Sequence, residues 1–195
     1  MKAAVYQGAQ RFEVKDIPTP EPGPGQVLVK VNRSAICGTD VHAFMYNIAL
    51  PGSVIGHEIA GEIASIGPGV TRLSVGQRVV AGGGDMPEGT PSPSRDNPRY
   101  NYRTMGFGDS VNGGYAEYQI LPEWRPTLIP DNVPDEVATL TEPCSVAVHA
   151  VRRSAIKLGD PVAILGAGPI GMFCIQAALN AGATPVLVSE PAPAR

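Results

Sequence analysis

Residues 161–171 read Pro-Val-Ala-Ile-Leu-Gly-Ala-Gly-Pro-Ile-Gly, and this stretch, with the residues up to 190, decides the fold. Residues 161–165 form an apolar run of strand length, and Gly166, Gly168 and Gly171 then space a turn. Residues 172–180 continue as an apolar helix, Gly182 closes it, and residues 185–188 open a second buried strand. Strand, glycine turn, helix, strand is a βαβ unit. Its turn has the spacing GxGxxG, and an acid, Glu190, stands 19 residues after Gly171. The glycine pattern alone is a weak signal in a chain with 23 glycines, so the context carries the reading. Gly166 makes the tight turn, Gly168 lets the backbone approach a pyrophosphate, and Gly171 lets the helix pack on the strand. The N–H groups opening the helix then hold the phosphates. Glu190 can accept hydrogen bonds from both ribose hydroxyls and would repel a 2′-phosphate, which favours NAD over NADP; Arg195, close by, weakens that preference. The alternative is an ordinary βαβ turn without a ligand.

Upstream, residues 135–157 carry a helical pattern, with Asp135 and Glu136 suited to a helix start. Pro143 interrupts it, which predicts a break at Glu142 and a new helix from Pro143. Residues 82–114 hold eight glycines and four prolines and read as a long surface lobe. Before the lobe, residues 27–31, 59–66 and 78–81 have strand character, and residues 115–121 return to it. Short strands separated by Pro/Gly turns predict a small barrel or sandwich.

The chain has 195 residues and a net charge of −3, so one full domain and part of a second fit. The mild acidity excludes the basic surface that nucleic acid requires. Three cysteines are too few for a disulfide scaffold, and the N-terminus lacks an apolar signal run, which predicts a reduced, cytoplasmic protein. Residues 161–189 carry no charge and are long enough to cross a bilayer, but their glycines and prolines break them into short pieces, so no membrane partner is expected.

A second signal lies near the N-terminus. Cys37 and His57 stand in polar, Gly-flanked contexts, and zinc favours thiolate, imidazole and carboxylate ligands while a catalytic site keeps one position open. Cys37, His57 and either Glu58 or Glu142 would make such a site. Taken alone, a Cys and a His twenty residues apart are more often core residues.

Together the motifs resemble the zinc-dependent medium-chain alcohol and polyol dehydrogenase family. They are CGTDVH at 37–42, GHEIAGEIASIGPGV at 56–70, VGQRV at 75–79, GGYAEY at 113–118, EPCSVAVHAVRR at 142–153 and ILGAGPIG at 164–171. The sorbitol, threonine and butanediol dehydrogenase branch is the most similar, because Glu142-Pro143 stands where animal and yeast alcohol dehydrogenases place a cysteine ligand. The resemblance implies a mixed α/β fold. A GroES-like β-barrel catalytic domain over residues 1–157 would be followed, over 158–195, by the first βαβ unit of an incomplete Rossmann domain. It implies one catalytic zinc with Cys37, His57, Glu58 and Glu142 as metal residues, Cys144 being the rival to Glu142. Thr39 and His42 match the family's proton relay, and Ile170, Glu190 and Arg195 match positions lining the dinucleotide. Cys144 and Cys174 are expected as core thiols and His149 as a packed helix residue.

The sequence departs from the family twice. The lobe where many members hold a four-cysteine structural zinc contains no cysteine, so no second zinc is expected. The chain also stops after the second strand of the dinucleotide domain, so residues 158–195 alone are expected to hold NAD weakly. The function implied is hydride transfer between a secondary alcohol or polyol and NAD, by this chain or by a longer enzyme of which it is the N-terminal part, the full-length form being a homo-oligomer. The alternatives are a zinc-free quinone or enoyl reductase of the same superfamily and a non-catalytic GroES-like fragment.

Overall fold

The computed structural model describes residues 1–81 and 112–193; most of the expected lobe, and Arg195, therefore lie outside the described residues. The chain forms two compact units, Met1–Thr139 and Leu140–Arg195.

In the first unit, β1 (Lys2–Gly8) and β2 (Arg11–Asp16) form an antiparallel pair. A second antiparallel sheet contains β3 (Gln26–Ala35), β4 (Glu58–Ile66), β5 (Arg78–Ala81), β6 (Tyr118–Pro122) and β7 (Pro126–Leu128), in the order β6-β3-β4-β5-β7. An isolated bridge pairs Ala3 of β1 with Ala116, two residues before β6. β4 is the central strand, and its first four residues are all buried, so this stretch lacks the alternation of a strand with one wet face. The core around it is built from Val27, Val29, Ile59, Ile63, Val79 and Leu121. Each such side chain, fully buried, contributes about 1.5–3 kcal/mol.

The ladder between β3 and β4 sets the position of two candidate ligands. These strands pair antiparallel, and the pairing ends at Ala35 opposite Glu58. Cys37 lies two residues beyond that end of β3, and His57 one residue before β4. Two segments far apart in sequence thus leave the sheet at the same corner. The sheet itself bulges where Gly61 faces the β3 backbone: a Cβ on Gly61 would stand 2.1 Å from the Lys30 carbonyl oxygen.

Past β3 the chain forms α1 (Gly38–Met45), a helix that the sequence reading did not anticipate. Its cap explains it. Cys37 is the N-cap, its sulfur accepts the Thr39 N–H, and the Asp40 carboxylate returns to accept the Cys37 N–H. This is a capping box with sulfur in place of the usual hydroxyl.

α2 (Asp135–Ala138) ends the first unit, and α3 (Thr141–Ser154) opens the second. The break predicted at Glu142 falls earlier, around Thr139 and Leu140. Pro143 lies third in α3, inside the first turn, where its missing N–H removes no intrahelical bond. β8 (Val162–Leu165), α4 (Pro169–Asn180) and β9 (Val186–Ser189) then form the βαβ unit, with β8 and β9 parallel and α3 packed on α4. α4 starts three residues before the predicted Met172 because Pro169 is a favourable first helical residue. Two minor expectations are corrected: His149 is exposed, and Cys144 and Cys174 are half-buried. Among the described residues no helix is long and apolar enough to cross a membrane.

Candidate functional site

Cys37, His57 and Glu58 converge at the corner where β3 ends and β4 begins. One ligand atom from each lies within 4.8 Å of the others. Glu58 is 4% exposed and Asp40 3%, so two carboxylates are buried beside a thiol. Buried carboxylates are costly without a nearby positive charge. Asp40 Oδ1 accepts no hydrogen bond from the described residues but faces His57 Nδ1 at 3.5 Å. Burial of the His57 ring opposes its charged form, yet the Asp40 carboxylate and the Cys37 sulfur outweigh that effect and push its pKa from 6.5 up to about 9. Two buried carboxylates and a thiol around one imidazole are a donor arrangement that suits a divalent cation.

The donor set fits zinc: one sulfur, one imidazole and one carboxylate, with a buried carboxylate behind the imidazole. With its proton on Nδ1 towards Asp40, His57 would present its lone pair on Nε2. Asp40 was missed as a site residue from the sequence. The signal that could have found it is the acid three residues after Cys37, the mark of the capping box.

Thr39 and His42 lie on α1, three residues apart and therefore on neighbouring positions of one face. Thr39 Oγ1 is 3.6 Å from Cys37 Sγ, so its hydroxyl borders the ligand cluster. His42 is exposed, with its ring 5.8 Å from that of Tyr46.

In the second unit the glycine turn is built as its spacing requires. Gly166 has φ +100°, a left-handed conformation that side chains disfavour. Gly168 is the N-cap of α4. A Cβ on Gly171 would stand 2.0 Å from the Gly166 carbonyl oxygen, so only glycine lets the helix start this close to the turn. Glu190 comes just after β9, and its Oε2 accepts the Ala167 N–H at 2.8 Å, which holds the acid against the turn. Ile170 is the second residue of α4 and is 42% exposed. Glu142 is the second residue of α3, half-buried, and belongs to the second unit.

Residues 23–131, more than half of the chain, match the alcohol dehydrogenase GroES-like domain. The chain belongs to that family. Among curated proteins, the chain is 37% identical over 196 residues to an L-threonine 3-dehydrogenase of Xanthomonas euvesicatoria pv. vesicatoria, covering 97% of the chain and 57% of that protein. An L-threonine 3-dehydrogenase of Stenotrophomonas maltophilia is 36% identical with the same coverage. The chain thus spans little more than half the length of these relatives. Among solved structures, 2R,3R-butanediol dehydrogenase of Bacillus subtilis superposes with a TM-score of 0.81 at 29% identity, covering 97% of this chain and 63% of that one. A Sinorhizobium meliloti protein described as a zinc-binding dehydrogenase and solved with NADP gives 0.81 at 31% identity, covering 99% and 57%. The expected mixed α/β fold, a GroES-like domain followed by part of a dinucleotide-binding domain, agrees with these relatives.

Proposed function

We propose that this chain carries the metal-binding part and the first cofactor-binding part of a zinc-dependent dehydrogenase acting on a secondary alcohol or polyol with NAD. The observation that carries the reading is the convergence of Cys37, His57 and Glu58 at one buried, negatively polarised corner. Cys37, His57 and Glu58 would hold the ion, with Glu142 as the further position, directly or through water. Residues 1–157 serve the metal and 158–195 the dinucleotide.

When bound, zinc supplies Lewis acidity at a substrate hydroxyl and NAD supplies the hydride acceptor. Thr39 Oγ1 would accept a hydrogen bond from the substrate hydroxyl and release its own proton as it takes up that one, and His42, one turn further on the exposed face of α1, would pass the released proton to solvent. Gly166, Gly168 and Gly171 seat the pyrophosphate at the start of α4, and Ile170 and Arg195 line the dinucleotide. Glu190 receives the ribose hydroxyls, and its charge disfavours a 2′-phosphate, so NAD is preferred although one relative was solved with NADP. A zinc-free reductase would have no need of the Cys37–His57–Glu58 cluster. The three free cysteines suit a reducing cytoplasm, and the active form is read as a homo-oligomer.

The test is NADH production from a panel of secondary alcohols and polyols by zinc-loaded protein of verified mass. Activity that disappears in Cys37→Ser together with the bound zinc supports the reading. Activity that survives loss of the metal overturns it.

A further inference from the structure

Tyr115 touches the segments that carry Cys37, Asp40 and His57. Its N–H donates to the Ile55 carbonyl at 2.9 Å, just ahead of His57. Its ring lies flat against Gly56: a Cβ there would stand 2.6 Å from ring carbon Cδ1. Its hydroxyl donates to Asp40 Oδ2 at 2.8 Å and lies 3.4 Å from the carbonyl oxygen of Ala35, the last residue of β3. The two residues before it allow this approach. A Cβ on Gly113 would stand 2.2 Å from the Val54 carbonyl oxygen, and one on Gly114 2.2 Å from Ile59 Cγ2. The Gly-Gly-Tyr segment is therefore pressed along the segment 54–59 that carries His57.

Phe12, Phe44 and Ile55, with the exposed Ile36 and Val41, join Tyr115 and Asp40 around a largely apolar pocket of about 250 Å³. The Asp40 carboxylate is oriented by two donors on one oxygen, the Tyr115 hydroxyl and the Cys37 N–H at 2.9 Å. That arrangement turns the other oxygen, Oδ1, towards His57 Nδ1.

We propose that Tyr115 is a positioning residue for the metal site: its hydroxyl fixes the Asp40 carboxylate, which in turn fixes the tautomer and orientation of His57. The proposal rests on the reading of Cys37, His57 and Glu58 as zinc ligands. It separates the hydroxyl from the ring. The ring packs the loop, and the hydroxyl sets the affinity for the ion.

The test uses Tyr115→Phe, which keeps the ring on Gly56, with zinc affinity measured by chelator competition on the full chain. Removing an outer partner of a metal ligand costs roughly 10–100-fold in affinity, and a loss of about tenfold is expected for this more distant group. Tyr115→Phe should add little further loss in an Asp40→Asn background, because both act along one path. Unchanged zinc affinity in Tyr115→Phe, or losses that add in full, would overturn the positioning role while leaving the metal site intact. Ring-nitrogen NMR of the unsubstituted, zinc-loaded protein gives a readout independent of folding in the variant. A proton on His57 Nδ1 supports the proposal, and a proton on Nε2 overturns it. Failure of the unsubstituted protein to bind zinc would overturn the metal reading itself.

Discussion

Asp40 Oδ1 stands 3.5 Å from His57 Nδ1, and the two side chains are 2% and 15% exposed. This buried pairing joins the cap of α1 to the residue that precedes β4. It makes one short segment, Cys37 to Asp40, serve both as the start of a helix and as one wall of the candidate metal site.

The first consequence is for metal affinity. Asp40→Asn leaves the size of the side chain unchanged but removes the charge that faces the imidazole. Zinc affinity is expected to fall roughly 10–100-fold. Chelator competition measures it, and an unchanged affinity would place Asp40 outside the metal site's support.

A second prediction concerns the fold rather than the site. Asp135, at the start of α2, accepts two bonds from the Arg78 guanidinium of β5, at 2.5 and 3.1 Å. Partial burial opposes its charged form, but Arg78 and Asn32 prevail and hold its pKa below the ordinary 3.8. A depressed native pKa means stability that is complete above the unfolded value and lost as the pH falls through the native one. Asp135→Asn should therefore cost about 1 kcal/mol at neutral pH, since the pair is partly open to solvent. In denaturant titrations the gap between the two proteins should narrow below pH 3.8 and close in stronger acid.

The glycine turn makes a third. Gly171→Ala forces a methyl group into the Gly166 carbonyl oxygen. The strain is expected to destabilise the protein by about 1–3 kcal/mol, read by thermal melting. NAD binding by calorimetry should weaken in step, because α4 can no longer start close to the turn. A variant that melts and binds as the unsubstituted protein does would remove the reason for glycine at this position.

Sequence and structure agree where chemistry is local and part where it is not. The glycine turn was legible because each glycine answers a steric demand set within a few residues. Cys37 and His57 were legible as residue types in a motif, and the β3–β4 ladder that joins them accords with strand patterning. The helix α1 was not, because Gly38, Thr39, Asp40 and Val41 are poor helix formers and the capping box that starts it uses a cysteine. The helix break was misplaced because Pro143 is compatible with the first turn, so it marks a helix start only to within two residues. Tyr115 was beyond reach: it meets Asp40 across 75 residues, and no local pattern records that contact.

A fourth prediction separates the proton path from the metal. Thr39→Val preserves shape and removes the hydroxyl beside Cys37. In the active dehydrogenase kcat is expected to fall about 10²–10⁴-fold with zinc content unchanged. Loss of zinc together with activity would instead make Thr39 a support of the ligand cluster.

The central claim is that Cys37, His57 and Glu58 hold one zinc ion, and X-ray absorption at the zinc edge tests it most directly. The account predicts one ion per chain with a single sulfur neighbour at about 2.3 Å and nitrogen or oxygen neighbours at about 2.0–2.2 Å. The sulfur signal should vanish in Cys37→Ser. A metal-free protein after purification without chelators, or a zinc spectrum that Cys37→Ser leaves untouched, would contradict it.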